Sequence, residues 1–168
     1  MKNSGTSKTK EQLEPEIKHF NIRVYTIIIK DNRYVLLSDE YMMDMKMTKF
    51  PGGGLNFGEG PADAIRREAI EEFNQEIDLI RHYYTTDFFQ RSMFFRDHQL
   101  ISMYWLAHFT EPIKFRISTK PFDFREMINE NQSFRWGDIS KMIPEDLTFP
   151  IDRIVLVMLK KDLQTGGI

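Results

Sequence analysis

The chain holds 168 residues, 41% of them hydrophobic, with a formal net charge of −2, enough for one domain with a proper core and too few for two ordinary ones. That charge argues against a protein whose main business is coating nucleic acid, while leaving room for a local basic cleft. Cysteine is absent, which rules out a disulfide framework, a thiolate zinc site and a cysteine nucleophile.

In chain order, residues 1–16 are rich in Lys, Ser, Thr, Glu and Gln and nearly free of apolar side chains, the composition of a disordered tail. They lack the apolar run of a signal peptide. No window of the chain approaches the roughly twenty apolar residues of a membrane span, so a cytoplasmic protein with no membrane partner is expected. Val24-Tyr25-Thr26-Ile27-Ile28-Ile29, the turn pair Asp31-Asn32 and Tyr34-Val35-Leu36-Leu37 predict a hairpin. Met42 to Thr48 reads as a methionine-laden loop. Its residues Met42, Met43, Met45 and Met47 suit gap-filling at the rim of the core better than the alternative, an adaptable apolar pocket. Lys49 and Phe50 then lead into a glycine turn.

A helix is predicted over 61–73. Pro61 fits its first turn, where a missing N–H costs nothing. Ala62, Ile65, Ala69 and Phe73 form an apolar stripe, and Asn74 accepts the left-handed conformation of a helix end. Beyond it, Ile77 to Phe89 and Leu100 to Phe109 read as long strands flanking the loop Phe94 to His98, and Arg135-Trp136 marks a shorter strand. Ile151, Ile154, Val155, Met158 and Leu159 recur at helical spacing and predict a closing helix of about three turns. The order predicts one domain over 17–163, a mixed sheet of α/β or α+β class, and a tail over 164–168.

On the first helix Glu68, Glu71 and Glu72 stand at i, i+3 and i+4, so their carboxylates converge within one turn. Each like-charge pair costs a few tenths of a kcal/mol, roughly, with nothing gained in return. A hard divalent cation removes that penalty, and oxygen-only donors select Mg²⁺ or Mn²⁺ over zinc.

Gly53, then Glu59, then Arg67-Glu68-Ala69-Ile70-Glu71-Glu72 resembles the signature of the Nudix hydrolases, G-x5-E-x7-R-E-U-x-E-E-x-G-U with U apolar. Asn74 stands in place of its last glycine and Gln75 in place of its last apolar residue. Both departures lie past the carboxylates. Phe50-Pro51 before the glycines, Trp136 on a late strand and the amphipathic C-terminal segment agree with the same family. The resemblance implies an α/β/α sandwich and hydrolysis of the pyrophosphate bond of a nucleoside diphosphate linked to another moiety. It gives Glu68, Glu71, Glu72 and the main-chain carbonyl of Gly52 as metal ligands, Glu68 also as a candidate base, and Glu59 and Arg67 as orienting groups.

The family often draws a further carboxylate from the loop before the Trp-bearing strand. Glu130 is the candidate here, carried on a lid over 122–133; its competing reading is an ordinary solvated Glu, and Glu111, Asp123 and Glu126 are weaker candidates. For the substrate, Lys49, Arg91 and Arg96 are candidates to meet phosphates, and Phe57, Tyr104 or Trp136 to stack on a base, although an aromatic on a strand is usually core. His98 reads as a surface residue. The Pro or Tyr that marks two family subtypes is missing from Gln90 to Met93, so the nucleoside stays open. The alternative is a non-catalytic Nudix-like module that senses a nucleotide. A homodimer is compatible with either reading.

Overall fold

The computed structural model describes residues 14–168, so the tail expected over 1–16 falls outside it except at 14–16. Among the described residues there are nine strands and two α-helices. Strand β1 (His19–Lys30) turns through Asp31 and Asn32, both left-handed with φ of 54° and 46°, into β2 (Tyr34–Met42). Asp and Asn tolerate that conformation because their short polar side chains bond locally. The two strands pair only next to the turn, at Ile29 with Val35 and Lys30 with Tyr34, and then diverge.

The fork between them is filled from both sides. Strand β3 (Met45–Lys49) pairs antiparallel with β2, and β4 (Gly52–Gly54) pairs antiparallel with β1. The methionine loop expected over 42–48 is therefore corrected to a hairpin. Met43 and Asp44 take φ of 51° and 61°, which makes a two-residue turn, and β3 starts exposed at Met45 and Lys46 and is buried from Met47 on. Gly52 has φ of 137°, and a Cβ there would lie 2.1 Å from the Val24 carbonyl oxygen. Only glycine lets β4 lie this close to β1.

Helix α1 (Pro61–Phe73) has the predicted limits, with Asn74 left-handed at its C-terminus and its N–H bonded to the Ile70 carbonyl. Next come β5 (Ile77–Thr85), β6 (Gln90–Arg91) and β7 (His98–Phe109). The strand expected over 77–89 ends at Thr85. The Thr86 hydroxyl bonds the Ser102 backbone, and the chain turns away. Strand β7 runs parallel to β1 from His19–His98 to Ile28–Ala107. After β8 (Ile117–Ser118), β9 (Asn131–Asp138) pairs antiparallel with β2 over its full length and is longer than the short strand expected around Trp136. Helix α2 (Pro150–Thr165) is longer than three turns and takes up part of the expected tail, stopping only where Gly166 turns left-handed.

The strand order is β5-β7-β1-β2-β9-β8, a mixed sheet with a helix on each face. Neighbouring residues of a strand face opposite ways. Val24, Ile28 and Leu36 pack with Ala64, Ile65, Ala69 and Phe73 of α1. Tyr25, Ile27, Val35 and Leu37 pack with Ile151, Val155, Leu156 and Leu159 of α2. Burying Ile65 or Phe73 contributes about 1.5–3 kcal/mol each, well above the tenths lost to like charges on the outer face of α1. The apolar stripe thus fixes the helix and its carboxylates follow. No helix of the described residues is long and apolar enough to cross a membrane.

Candidate active site

The glycine strand and the first turns of α1 meet at the fork. A Cβ on Gly53 would lie 2.2 Å from the Glu68 carboxyl group, so the missing side chain is what allows that carboxylate to rest against β4. Arg67 ties helix to strand. Its guanidinium donates to both oxygens of Glu59 at 2.6 and 3.0 Å, to the Gly54 carbonyl at 2.9 Å, to Glu68 at 2.8 Å and to Glu71 at 3.0 Å. Glu59 also accepts the Asn56 N–H at 2.7 Å, and the Arg67 bonds together with this one hold its carboxyl below the usual range. The same carboxylates raise Arg67 above its already high value. Glu71 sits on the outer flank with its side chain 57% exposed.

One turn on, Glu72 points inward. Its Oε1 accepts Gln132 Nε2 at 2.8 Å and lies 3.8 Å from Lys49 Nζ, while its Oε2 is buried with no partner. Burial, seconded by the Glu40 charge and opposed by Lys49, pushes this carboxyl above its ordinary value. Lys49 is 5% exposed and donates to Glu40 Oε1 and to the Gly52 carbonyl, both at 2.8 Å. Burial pulls its ammonium down, but Glu40 and Glu72 more than offset it and the group stays charged. Gly52, Gly53, Glu40, Glu68, Glu72, Lys49, Glu130 and Gln132 line a cleft of about 270 Å³. Its donors are carbonyl and carboxylate oxygens, the set a hard divalent ion selects, and the partnerless Glu72 oxygen is the kind such an ion would satisfy. With Arg67 holding Glu68 and Glu71, and Lys49 beside Glu72, no three Asp, Glu, His or Cys of the described residues are gathered for a metal as they stand.

The NUDIX domain profile matches residues 19–155. The chain belongs to the Nudix family. It is thereby a Nudix-type hydrolase, as the spacing of its glycine, arginine and carboxylates implies. Solved structures agree on the fold. A NUDIX hydrolase from Nitrosomonas europaea is 16% identical, with 88% of this chain and 90% of that one covered and a TM-score of 0.59. The MutT protein of Methanosarcina mazei Go1 is 15% identical, covering 86% and 96%, with a TM-score of 0.60. An ADP-ribose pyrophosphatase from Streptococcus suis 89-1591 is 12% identical, covering 88% and 92%, with a TM-score of 0.55. At such identities the likeness concerns architecture alone. No curated protein matches the chain.

The Nudix helix thus brings Glu59, Arg67, Glu68, Glu71, Glu72 and Gly52 to one end of the sheet. Glu130 reaches the same cleft, its backbone left-handed at φ 74° and its N–H bonded to the Tyr41 carbonyl. Lys49 is in the cleft, already engaged by protein oxygens. The other substrate candidates lie elsewhere. Arg91 and Arg96 hold Glu14 through ion pairs of 2.9 and 3.4 Å and line neither the cleft nor its border. Phe57 is fully exposed, and Trp136 packs on the α1 side beneath Lys30.

Tyr104 is buried, stacked on Tyr25 at 5.0 Å, and donates to Asp152 Oδ1 at 2.5 Å. It forms the floor of a second cavity, of about 160 Å³, lined by Met42, Met43, Met47, Phe94 and Phe149 among others. Arg23, Glu40, Met42 and Lys49 border both spaces. Asp152 is buried, its Oδ2 is without a partner, and burial pushes its carboxyl up to about 7. Sequence reasoning missed Glu40, Gln132, Arg23 and Asp152. For Glu40 a signal existed, since Leu36, Ser38 and Glu40 alternate onto the α1 face of β2 and turn polar toward its end. Asp152 offered a weaker one, a charged residue one position past the predicted apolar helix start.

Proposed function

We propose that this hydrolase cleaves the pyrophosphate bond of a nucleoside diphosphate linked to another moiety, with Mg²⁺ or Mn²⁺ held by Glu68, Glu72 and the Gly52 carbonyl and Glu71 at its margin. The observation that carries the reading is the junction of two spaces, an oxygen-lined cleft and an apolar cavity with polar groups at its floor. A pyrophosphate-bridged nucleotide has the matching halves. The solved relatives described as an ADP-ribose pyrophosphatase and a UDP-X diphosphatase differ in nucleoside and share the bridge, which supports assigning the cleft to the bridge.

When bound, the divalent ion would neutralise phosphoryl oxygens and ease deprotonation of a water. Gly53 keeps Glu68 against the glycine strand, and Arg67 fixes it there. Arg23, which donates to the Tyr25 hydroxyl at 2.8 Å, stands where a bridging phosphate would pass between the two spaces. Glu68 or Glu130 takes the proton of the attacking water as its oxygen bonds to phosphorus and the bridging P–O bond breaks. Tyr104, Tyr25 and the methionines exclude water around the base, and the partnerless Asp152 Oδ2 offers its edge a polar group. Mass analysis of products from a panel of nucleoside diphosphate derivatives, with Mg²⁺ and with chelator, tests this. Two phosphate-bearing products in Mg²⁺ alone are expected. Saturable binding of a nucleotide with no turnover in either condition would favour the sensing module, toward which the lysine-engaged cleft points.

A further inference from the structure

We propose that the Lys49 ammonium is an internal cation that occupies part of the metal cleft and competes with the divalent ion for the Gly52 carbonyl and the Glu72 carboxylate. The inference rests on the metal reading above and adds a residue to it. Three observations carry it. Lys49 Nζ bonds the Gly52 carbonyl oxygen and Glu40 Oε1 at 2.8 Å each and lies 3.8 Å from Glu72 Oε1, so a positive charge already sits among the oxygens a hard cation would use. Its position is set by the backbone. Thr48 and Lys49 belong to the β3 ladder, and the Pro51 carbonyl accepts the Thr26 N–H at 2.8 Å, so the ammonium is delivered by a short fixed segment.

The neutralisation is also incomplete. Glu40, Glu68, Glu72 and Glu130 line the cleft against two cations, the Lys49 ammonium and the Arg23 guanidinium, and the neutral Gln132, with Arg67 drawing on Glu68 from outside, and Glu72 Oε2 still lacks a partner. A cleft of this kind attracts a further cation and at the same time repels it through the ammonium already beside Gly52 and Glu72.

Two states follow, one with the ammonium on Gly52 and Glu72, and one with the divalent ion there and Lys49 displaced toward the apolar cavity it also borders. The displaced lysine would then stand between the two spaces, next to Arg23, where the pyrophosphate bridge passes.

The first test is a Mn²⁺ titration followed by electron paramagnetic resonance of the free ion, on wild type and on Lys49→Met, which keeps the apolar stem and removes the charge. The variant should bind Mn²⁺ at least about tenfold more tightly, because a like charge close to the site has gone. In chelator it should melt below wild type, with Mn²⁺ restoring it. Equal or weaker binding by the variant overturns the competition while leaving the metal site standing. Absence of Mn²⁺ binding in both proteins overturns the competition and the metal reading together.

The second test needs no variant. Wild type is acetylated under limiting reagent and Lys49 is followed by peptide mass, with exposed Lys46 and Lys141 as references. Mg²⁺ should raise labelling of Lys49 severalfold relative to chelator and leave the references unchanged. Labelling that is unchanged or slowed by Mg²⁺ shows that the ammonium stays in place, and overturns the proposal even if Lys49→Met fails to fold.

Discussion

Adjacent carboxylates on one helix turn have opposite characters, set by which way each points. Glu71 is half in solvent and held by Arg67, whereas Glu72 is buried and raised by its burial. Glu72→Gln is therefore expected to lower metal-dependent turnover by about 10² or more, the scale of losing an electrostatic group at the reacting centre. In chelator it should melt at or above wild type, since a neutral amide relieves a buried charge. Thermal melts in chelator and rates in Mg²⁺ check both halves, and normal hydrolysis by a less stable variant would remove Glu72 from the metal set. Arg67→Ala behaves differently. It leaves Glu59, Glu68 and Glu71 facing one another without their common partner. The expected result is a loss of several degrees in Tm, with about 2–4 °C for each kcal/mol at this chain length, together with a loss of turnover. An alanine variant equal to wild type in both would make Arg67 a solvated helix residue.

Among the elements, α1 was legible to the residue because its signals are local, whereas the glycines before it read as a turn and form strand β4. A proline at the start, an apolar stripe and an asparagine that turns left-handed fix a helix without reference to anything distant. The hairpin of β2 and β3 was not, since Met43, which has no preference for the left-handed conformation, takes it where the strands on either side pair. The glycines separate the two kinds of constraint. Gly52→Ala meets the Val24 backbone and an unfavourable φ, so it should unfold or strongly destabilise the protein. Gly53→Ala meets only the end of the Glu68 side chain. It should keep its melting temperature within a few degrees and lose roughly 10² in rate by displacing that carboxylate about 1 Å. Equal stability of the two variants would show that the approach of β4 to β1 is not what demands glycine at position 52.

The segment before β9 raises the same question of local against imposed order. It was expected as a lid over 122–133, and the structure pins it at both ends to β2, through the Phe122 N–H on Asp39 and the Glu130 N–H on Tyr41. Glu130→Gln should still cost about 10²–10⁴ in rate if its carboxylate is the base, with a stability change under about 0.5 kcal/mol. A turnover number within a factor of about three of wild type, with the same pH profile, returns the base role to Glu68.

At the scale of the whole molecule, the sheet collects groups that no spacing rule connects. Arg23 and Tyr25 come from β1, Tyr104 from β7 and Asp152 from α2, and the cavity they enclose exists only once β1 and β7 lie parallel and α2 has closed over them. That is why the oxygen cleft could be read from one motif, while the apolar cavity showed in the sequence only as the less favoured reading of Met42, Met43 and Met47. Asp152 is the clearest consequence, a carboxyl raised from 3.8 to about 7 by burial, with the Tyr104 hydrogen bond acting in the opposite direction. Its contribution to stability has a definite sign. Below about pH 4 the group is protonated in both the folded and unfolded chain. Between that pH and about 7 the unfolded chain ionises first, unfolding releases a proton, and stability falls as pH rises. Above the folded value of about 7 both forms are ionised and the loss is complete. At about 1.4 kcal/mol per unit, the fall amounts to a few kcal/mol. Asp152→Asn stays neutral throughout and keeps an oxygen for Tyr104. Subtracting its unfolding free energy from that of wild type cancels the other titrating groups. That difference should decline from about pH 4 to about 7 and level off above. A difference that stays flat across the window would mean that Asp152 is ionised in the folded protein, and that the floor of the cavity offers a charge where the present reading places a neutral acid.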